Sequence, residues 1–213
     1  WIQRTIYQWF DDANRITDAA DYGSSASTDE WTYGTPVPRG PPPAASSSTV
    51  LLREYEYNVD SGRLEKWTDP EGQASATFHD ELGRVQYSVD NFVDFDPNTE
   101  AGTGGGANND EDQVVKRTFD GINNVVELIA MDRDGNGIPI DNEVTEYKFE
   151  DAFDTRWNTE TIYPDSTGGI DSVTREFALD GLPTNTRDQR GVIMEYVYNA
   201  YRLLEWEIVR SVP

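Results

Sequence analysis

The sequence predicts an all-β fold of stacked β-hairpin units forming a curved or spiral β-sheet. Three observations carry this prediction. Apolar residues alternate with polar ones at the strand period of two over many short runs. Those runs are separated by Gly, Asn, Asp and Pro clusters of the kind that close hairpins. Finally, the chain repeats a motif of aromatic, acid or amide, small residue, arginine and aliphatic.

Taken in order, the first unit turns at "WFDDANRI", residues 9–16. Then comes a Gly-, Ser- and Pro-rich stretch over about 22–48, whose composition predicts an extended or polyproline-like loop. Strand character resumes at "LLREYEYNV" and passes through two turns, "YNVDSGRL" at 57–64 and "TDPEGQ" at 68–73. After "FHDELGRV" at 78–85, the run "RVQYSVD" puts Val85, Tyr87 and Val89 on one face and Gln86 and Ser88 on the other. An acidic, Gly-rich loop over about 93–112 is expected to be mobile. "QVVKRTFD" follows, with a looser repeat copy "TFDGINNV" at 118–125, and "NNVVELIAMD" leans toward strand because it starts on β-branched residues. A third irregular loop over 132–143 leads to "EVTEYKFED", the loose copy "FEDAFDTR" at 149–156, and "SVTREFAL". The turn "RDQRGV" at 187–192 leads into "VIMEYVYN" and the copy "VYNAYRLL" at 197–204. In the closing run "LLEWEIV", Leu204, Trp206 and Ile208 share one face, opposite Glu205 and Glu207. The strand pattern returns after each irregular stretch, so one repeat region over 1–213 is expected.

Each position of the unit has a physical reason. Gly62 and Gly83 reach positive φ without a Cβ clash, and Asn14 and Asn123 are the next best residues there. Asp11, Asp80 and Asp120 are placed to accept hydrogen bonds from turn amides. Arg15, Arg63 and Arg84 are expected to pair with acids of adjacent hairpins. Arg63 and Arg84 stand 21 residues apart, enough for two short strands and two turns. One such unit cannot bury its own face and must stack on its neighbours.

Composition bounds the function. The 213 residues carry 17 Lys plus Arg against 40 Asp plus Glu, a net charge of −23, so phosphate backbones are repelled and nucleic acid is not an expected partner. Aromatics make up 12% of the chain, which favours an aromatic core over a leucine-rich one. With no cysteine there are no disulfides, thiolate metal sites or cysteine nucleophiles. No apolar run reaches membrane-spanning length. The chain opens at Trp1 without an initiator Met or signal-peptide pattern, which fits a processed chain or a piece of a longer one.

The stretch "YNVDSGRLEKWTDPEGQASATFHDELGRV" resembles the YD repeats of the Rhs family, whose units read Tyr-Asp, two or three residues, Gly-Arg-Leu, a strand and a "TDP-Gly" turn. The resemblance covers most of the chain, in about six copies of which two are strong. It implies a very large exported parent whose repeats wind into a spiral sheet, forming in bacterial toxins and teneurin-like proteins a hollow shell that sometimes encloses a toxic domain. It implies a structural scaffold at the cell surface or outside the cell, with no catalytic residue in the repeats. Sheet edges would pair with further copies of the chain or with the rest of a longer one. The alternative is an extracellular binding module for glycans or calcium.

Three features invite chemistry. "DRDGNGIPIDNE" has the spacing of a calcium loop: Asp132, Asp134 and Asn136 as side-chain ligands, Ile138 through its carbonyl, and Glu143 at the twelfth position. The same residues also read, and more simply, as the second turn of a repeat, equivalent to "TDPEGQ", followed by a small insertion. His79 is the sole histidine; its place alternating away from Phe78 suits an exposed or hairpin-stabilising role rather than a general base. Trp31, Trp67, Trp157 and Trp206 would serve either as strand core or as a sugar-stacking platform. No pair of carboxylates stands out for hydrolysis, and no phosphate-loop or nucleophile-elbow pattern occurs.

Overall fold

The computed structural model describes residues 4–24, 40–102, 111–131, 142–151, 154–164 and 171–210. Within them lie fourteen strands: β1 (Arg4–Phe10), β2 (Ile16–Ser24), β3 (Leu51–Tyr57), β4 (Leu64–Thr68), β5 (Ala74–His79), β6 (Val85–Asp90), β7 (Gln113–Phe119), β8 (Val125–Met131), β9 (Glu143–Lys148), β10 (Glu160–Ile162), β11 (Ser172–Phe177), β12 (Pro183–Arg187), β13 (Ile193–Tyr198) and β14 (Leu204–Arg210). They form one open antiparallel sheet in chain order, with no helix among the described residues. By compactness the chain divides between Gln113 and Val114, with β1 to β6 in the first unit and β8 to β14 in the second.

One turn builds most of the hairpins. Asp11 donates its amide to the Arg15 carbonyl and accepts from Asn14 N–H, and the same pair of bonds recurs at Asp69, Asp80, Asp120, Ala178, Asp188 and Asn199. The fourth residue of each such turn has positive φ: Asn14, Gly72, Gly83, Asn123, Gly181, Gly191 and Arg202. A type I turn followed by a left-handed residue produces a bulge, and the register slips accordingly at Trp9/Phe10, Phe78/His79, Thr118/Phe119, Glu176/Phe177 and Val197/Tyr198. The first and second turns of the sequence repeat are therefore the same object. The β3–β4 turn is one residue longer, with Asn58 N–H bonded to the Arg63 carbonyl and Gly62 at positive φ.

In the first unit, the core lies where loops fold back on the sheet. Phe95 is 3% exposed, its ring 5.7 Å from Phe78 and 5.4 Å from Tyr87. Tyr87 and Val89 are buried beside it, as the alternation of β6 requires. The base of that loop is clasped by buried Asp112, whose N–H bonds the Asn91 carbonyl and whose Oδ1 accepts from Val93 N–H at 2.8 Å. The described flanks of the acidic Gly-rich stretch are thus packed against the sheet, because Phe95 and Asp112 gain burial there; its middle, 103–110, lies outside the described residues. A second pair, Ala20 and Leu52, is buried where β2 meets β3. Trp9 Nε1 donates to the Gly40 carbonyl at 3.0 Å.

In the second unit, Val114 and Met131 are buried directly opposite each other on β7 and β8. The copy expected at 149–156 is not a tight turn of the common kind. Lys148 ends β9 and Glu160 begins β10, and the chain between is held by Asn158, which donates to the Lys148 and Glu160 carbonyls. Buried Thr161 and Arg175 both donate to Asn158 Oδ1. The common turn falls instead at Ala178–Leu182, a copy the repeat reading missed because Ala178 replaces the acid at the anchor position.

Candidate functional site

Alternate turns of a meander gather along one rim of the sheet, and here they are tied to one another. Arg15 Nη1 donates to the Gly62 carbonyl at 3.1 Å, and its guanidinium lies 4.5 Å over the Tyr57 ring. Arg63 in turn lays its guanidinium on Gly83, filling the space a Cβ there would need. In the second unit Asn124, at the same position in its turn, donates to the Thr155 carbonyl at 3.0 Å. The Trp157 ring packs on Gly181 and 5.3 Å from Phe177, and Arg202 Nη2 donates to the Asp180 carbonyl at 2.7 Å. At Arg15, Arg63 and Asn124 the residue after the left-handed position thus reaches across toward the next turn of the rim, whereas Arg202, itself left-handed, reaches back to the preceding one.

The ion pairs correct one expectation. Arg15 and Arg84 pair within their own hairpins, with Asp11 at 2.6 Å and Asp80 at 2.7 Å, since a side chain two bonds past the bulge points back at the anchor acid. Arg63 makes no ion pair among the described residues, because its anchor is Asn58. The anchor carboxylates also cap backbone amides: Asp80 accepts from Arg84 N–H at 2.9 Å and Asp188 from Val192 N–H at 2.8 Å. Those amide bonds, reinforced by the arginines, hold Asp11, Asp80 and Asp188 below the usual carboxylate range. Arg156 draws Asp154 down to about 2.

The two end strands differ from the rest. Among the described residues β14 pairs with β13 alone, and every residue of it is exposed. Leu204, Trp206, Ile208 and Val209 stand 52, 63, 39 and 66% exposed. Glu205 and Glu207 alternate with them, and Arg210 pairs with Glu195 at 2.9 Å. At the other end, β1 pairs with β2 and alternates exposed and half-buried residues, with Ile6 and Phe10 about half exposed. Chemically, such edges offer unpaired backbone N–H and C=O groups to another strand.

Of the residues singled out from sequence, Asp132, Asp134, Asn136 and Ile138 lie outside the described residues, while Glu143 opens β9 in an exposed position. Among the described residues no three His, Asp or Glu side chains are grouped to hold a metal. Trp31 also lies outside; Trp67 faces Tyr55 across β3 and β4, Trp157 packs on Phe177, and Trp206 is exposed on β14. His79 is half-buried; the extra residue of the bulge beside it is Gln86 on β6, and Phe78, His79 and Gln86 all line one cavity.

No family model matches the chain, and no curated protein matches it. Among solved structures, the chain is similar to the crystal structure of TcdB2-TccC3-TEV, at 14% identity over 96% of this chain and 10% of that one, with a TM-score of 0.46. For the crystal structure of TcdB2-TccC3 the values are 14% identity, 98% and 11% coverage and a TM-score of 0.46. For the Photorhabdus luminescens Tc holotoxin pore they are 16%, 76%, 8% and 0.35. The chain spans about a tenth of the length of those it matches.

Proposed function

We propose that this chain is a non-enzymatic structural scaffold, one section of an exported YD-repeat shell, surface protein or fibre. The observation that carries the reading is the pair of end strands: β1 and β14 each have one partner among the described residues, and β14 exposes Leu204, Trp206 and Ile208. A sheet that ends this way is stabilised by a further strand, either from the same polypeptide or from another copy. The repeated turn and its cross-turn bonds fit the same role, since they fix each hairpin against the next and use the polar side chains of the rim for structure rather than chemistry. Location outside the cell or at its surface follows from the scaffold reading.

The test is electron microscopy of the protein purified from its native source. Hollow particles or regular filaments are the expected outcome, the first meaning a shell and the second a fibre. Isolated monomers that turn over a substrate would overturn the reading.

A further inference from the structure

Arg63, Glu65, His79 and Gln86 line one cavity of the first unit, and none of these side chains has a hydrogen-bond or ion-pair partner among the described residues. The cavity measures about 330 Å³ and lies between the β3–β4 and β5–β6 turns, with Phe78 and Tyr87 on its wall and Pro97 and Asn98 closing it from the loop. From these we infer a binding site for a single neutral pyranose unit of a glycan, a role separate from the scaffold.

The ligand class follows from charge and hydrogen-bonding capacity. Arg63 and Glu65 carry opposite charges, and Asp80, which also lines the cavity, is paired with Arg84 at 2.7 Å, so the site is close to neutral inside a chain of net charge −23. A phosphate or sulfate would meet Glu65 and Asp80, and an ammonium would meet Arg63. A sugar hydroxyl both donates and accepts. Glu65 accepts from such hydroxyls, while Arg63 and Gln86 donate to them, and Phe78 supplies an apolar wall for the C–H face of the ring. The size is at the lower end of the roughly 300–1,000 Å³ typical of small-molecule sites, which suits one sugar unit.

The site is held open by structure already in place. Tyr87 donates its hydroxyl to Glu100 at 2.7 Å and packs on Phe95. Asn98 is fixed by Asp96, which accepts from its amide N–H and side chain at 2.9 Å. Arg63 reaches the cavity because the lengthened β3–β4 turn has Asn58 where Asp11 and Asp80 neutralise Arg15 and Arg84. A preformed polar site with its supporting groups already paired loses little entropy on binding.

His79, the only histidine, gives a one-signal reporter. Its imidazole proton resonances are followed by NMR while methyl glucoside, methyl galactoside and methyl mannoside are each added to millimolar concentration. The expected result is a saturable shift with at least one of them, with affinity reduced about tenfold by Glu65→Gln and by Gln86→Ala, the loss of one hydrogen bond to a charged or amide partner. Both side chains are uncommitted, so both variants should keep the parent's melting temperature. No saturable shift with any neutral glycoside overturns the inference. So does a shift that survives both variants unchanged, or saturation by inorganic phosphate or glucuronate alone.

Discussion

Arg15 bridges two turns 47 residues apart, donating to the Gly62 carbonyl at 3.1 Å while lying over the Tyr57 ring. Its other end is fixed by Asp11 in its own turn. Arg15→Ala should lower stability by about 1 kcal/mol, the scale of one charged hydrogen bond and a partly exposed cation–π contact after solvent screening. Arg15→Lys should recover less than half, because an ammonium cannot hold Asp11 and the Gly62 carbonyl in one plane. Urea midpoints of the two variants check this.

Gly83 meets two constraints where Gly72 meets one. Both have positive φ, 80° and 87°, but only Gly83 lies under the Arg63 guanidinium. Gly72→Ala should cost about 1–2 kcal/mol from backbone strain alone. Gly83→Ala should cost more, and the excess should vanish in an Arg63→Ala background. A double-mutant cycle measures that coupling; additive effects would mean Arg63 does not pack on Gly83.

The anchor acids set an acid limb. Asp80 is held below its ordinary 3.8, first by the Arg84 amide, and Asp154 lies at about 2. A lowered folded-state pKa gives stability that is fully present above the ordinary value and lost as pH falls through the lowered one. The stabilisation should therefore fade between about pH 4 and pH 2. Asp80→Asn keeps the side-chain acceptor but removes the titration. It should be less stable than the parent at neutral pH and converge with it at the acid end, as read by thermal melts across the range.

Net charge −23 repels itself at long range, while the ion pairs of the turns are in direct contact. Sodium chloride shortens the screening length from about 30 Å at 0.01 M to about 8 Å at 0.15 M. The melting temperature should rise over that interval. A fall would mean that the short-range pairs outweigh the global repulsion.

Trp206 is 63% exposed on β14, where its removal leaves no cavity. Trp206→Lys should leave the melting temperature of the monomer unchanged while suppressing self-association in sedimentation experiments, since a lysine on an edge strand opposes edge pairing.

Much of the fold was legible in local chemistry. The positive-φ positions Asn14, Gly62, Gly83 and Asn123 and the amide-accepting acids Asp11, Asp80 and Asp120 follow from residue type and spacing within a turn. The Ala178 turn escaped because its only signal was the Asp-Gly pair at 180–181, without an anchor acid. The candidate cavity was less legible. Glu65 and Gln86 carry no motif, and nothing in the local pattern around His79 brings it beside them.

By itself the sequence determined the all-β class and most of the strands and turns, because period-two alternation and left-handed backbone preferences act over a few residues. Only the tertiary structure decided that Arg15 reaches Gly62, that Phe95 folds back on Tyr87, and that β14 keeps both faces open. Each of those depends on which strand lies next to which, and on loops returning to the sheet over distances that no local pattern encodes.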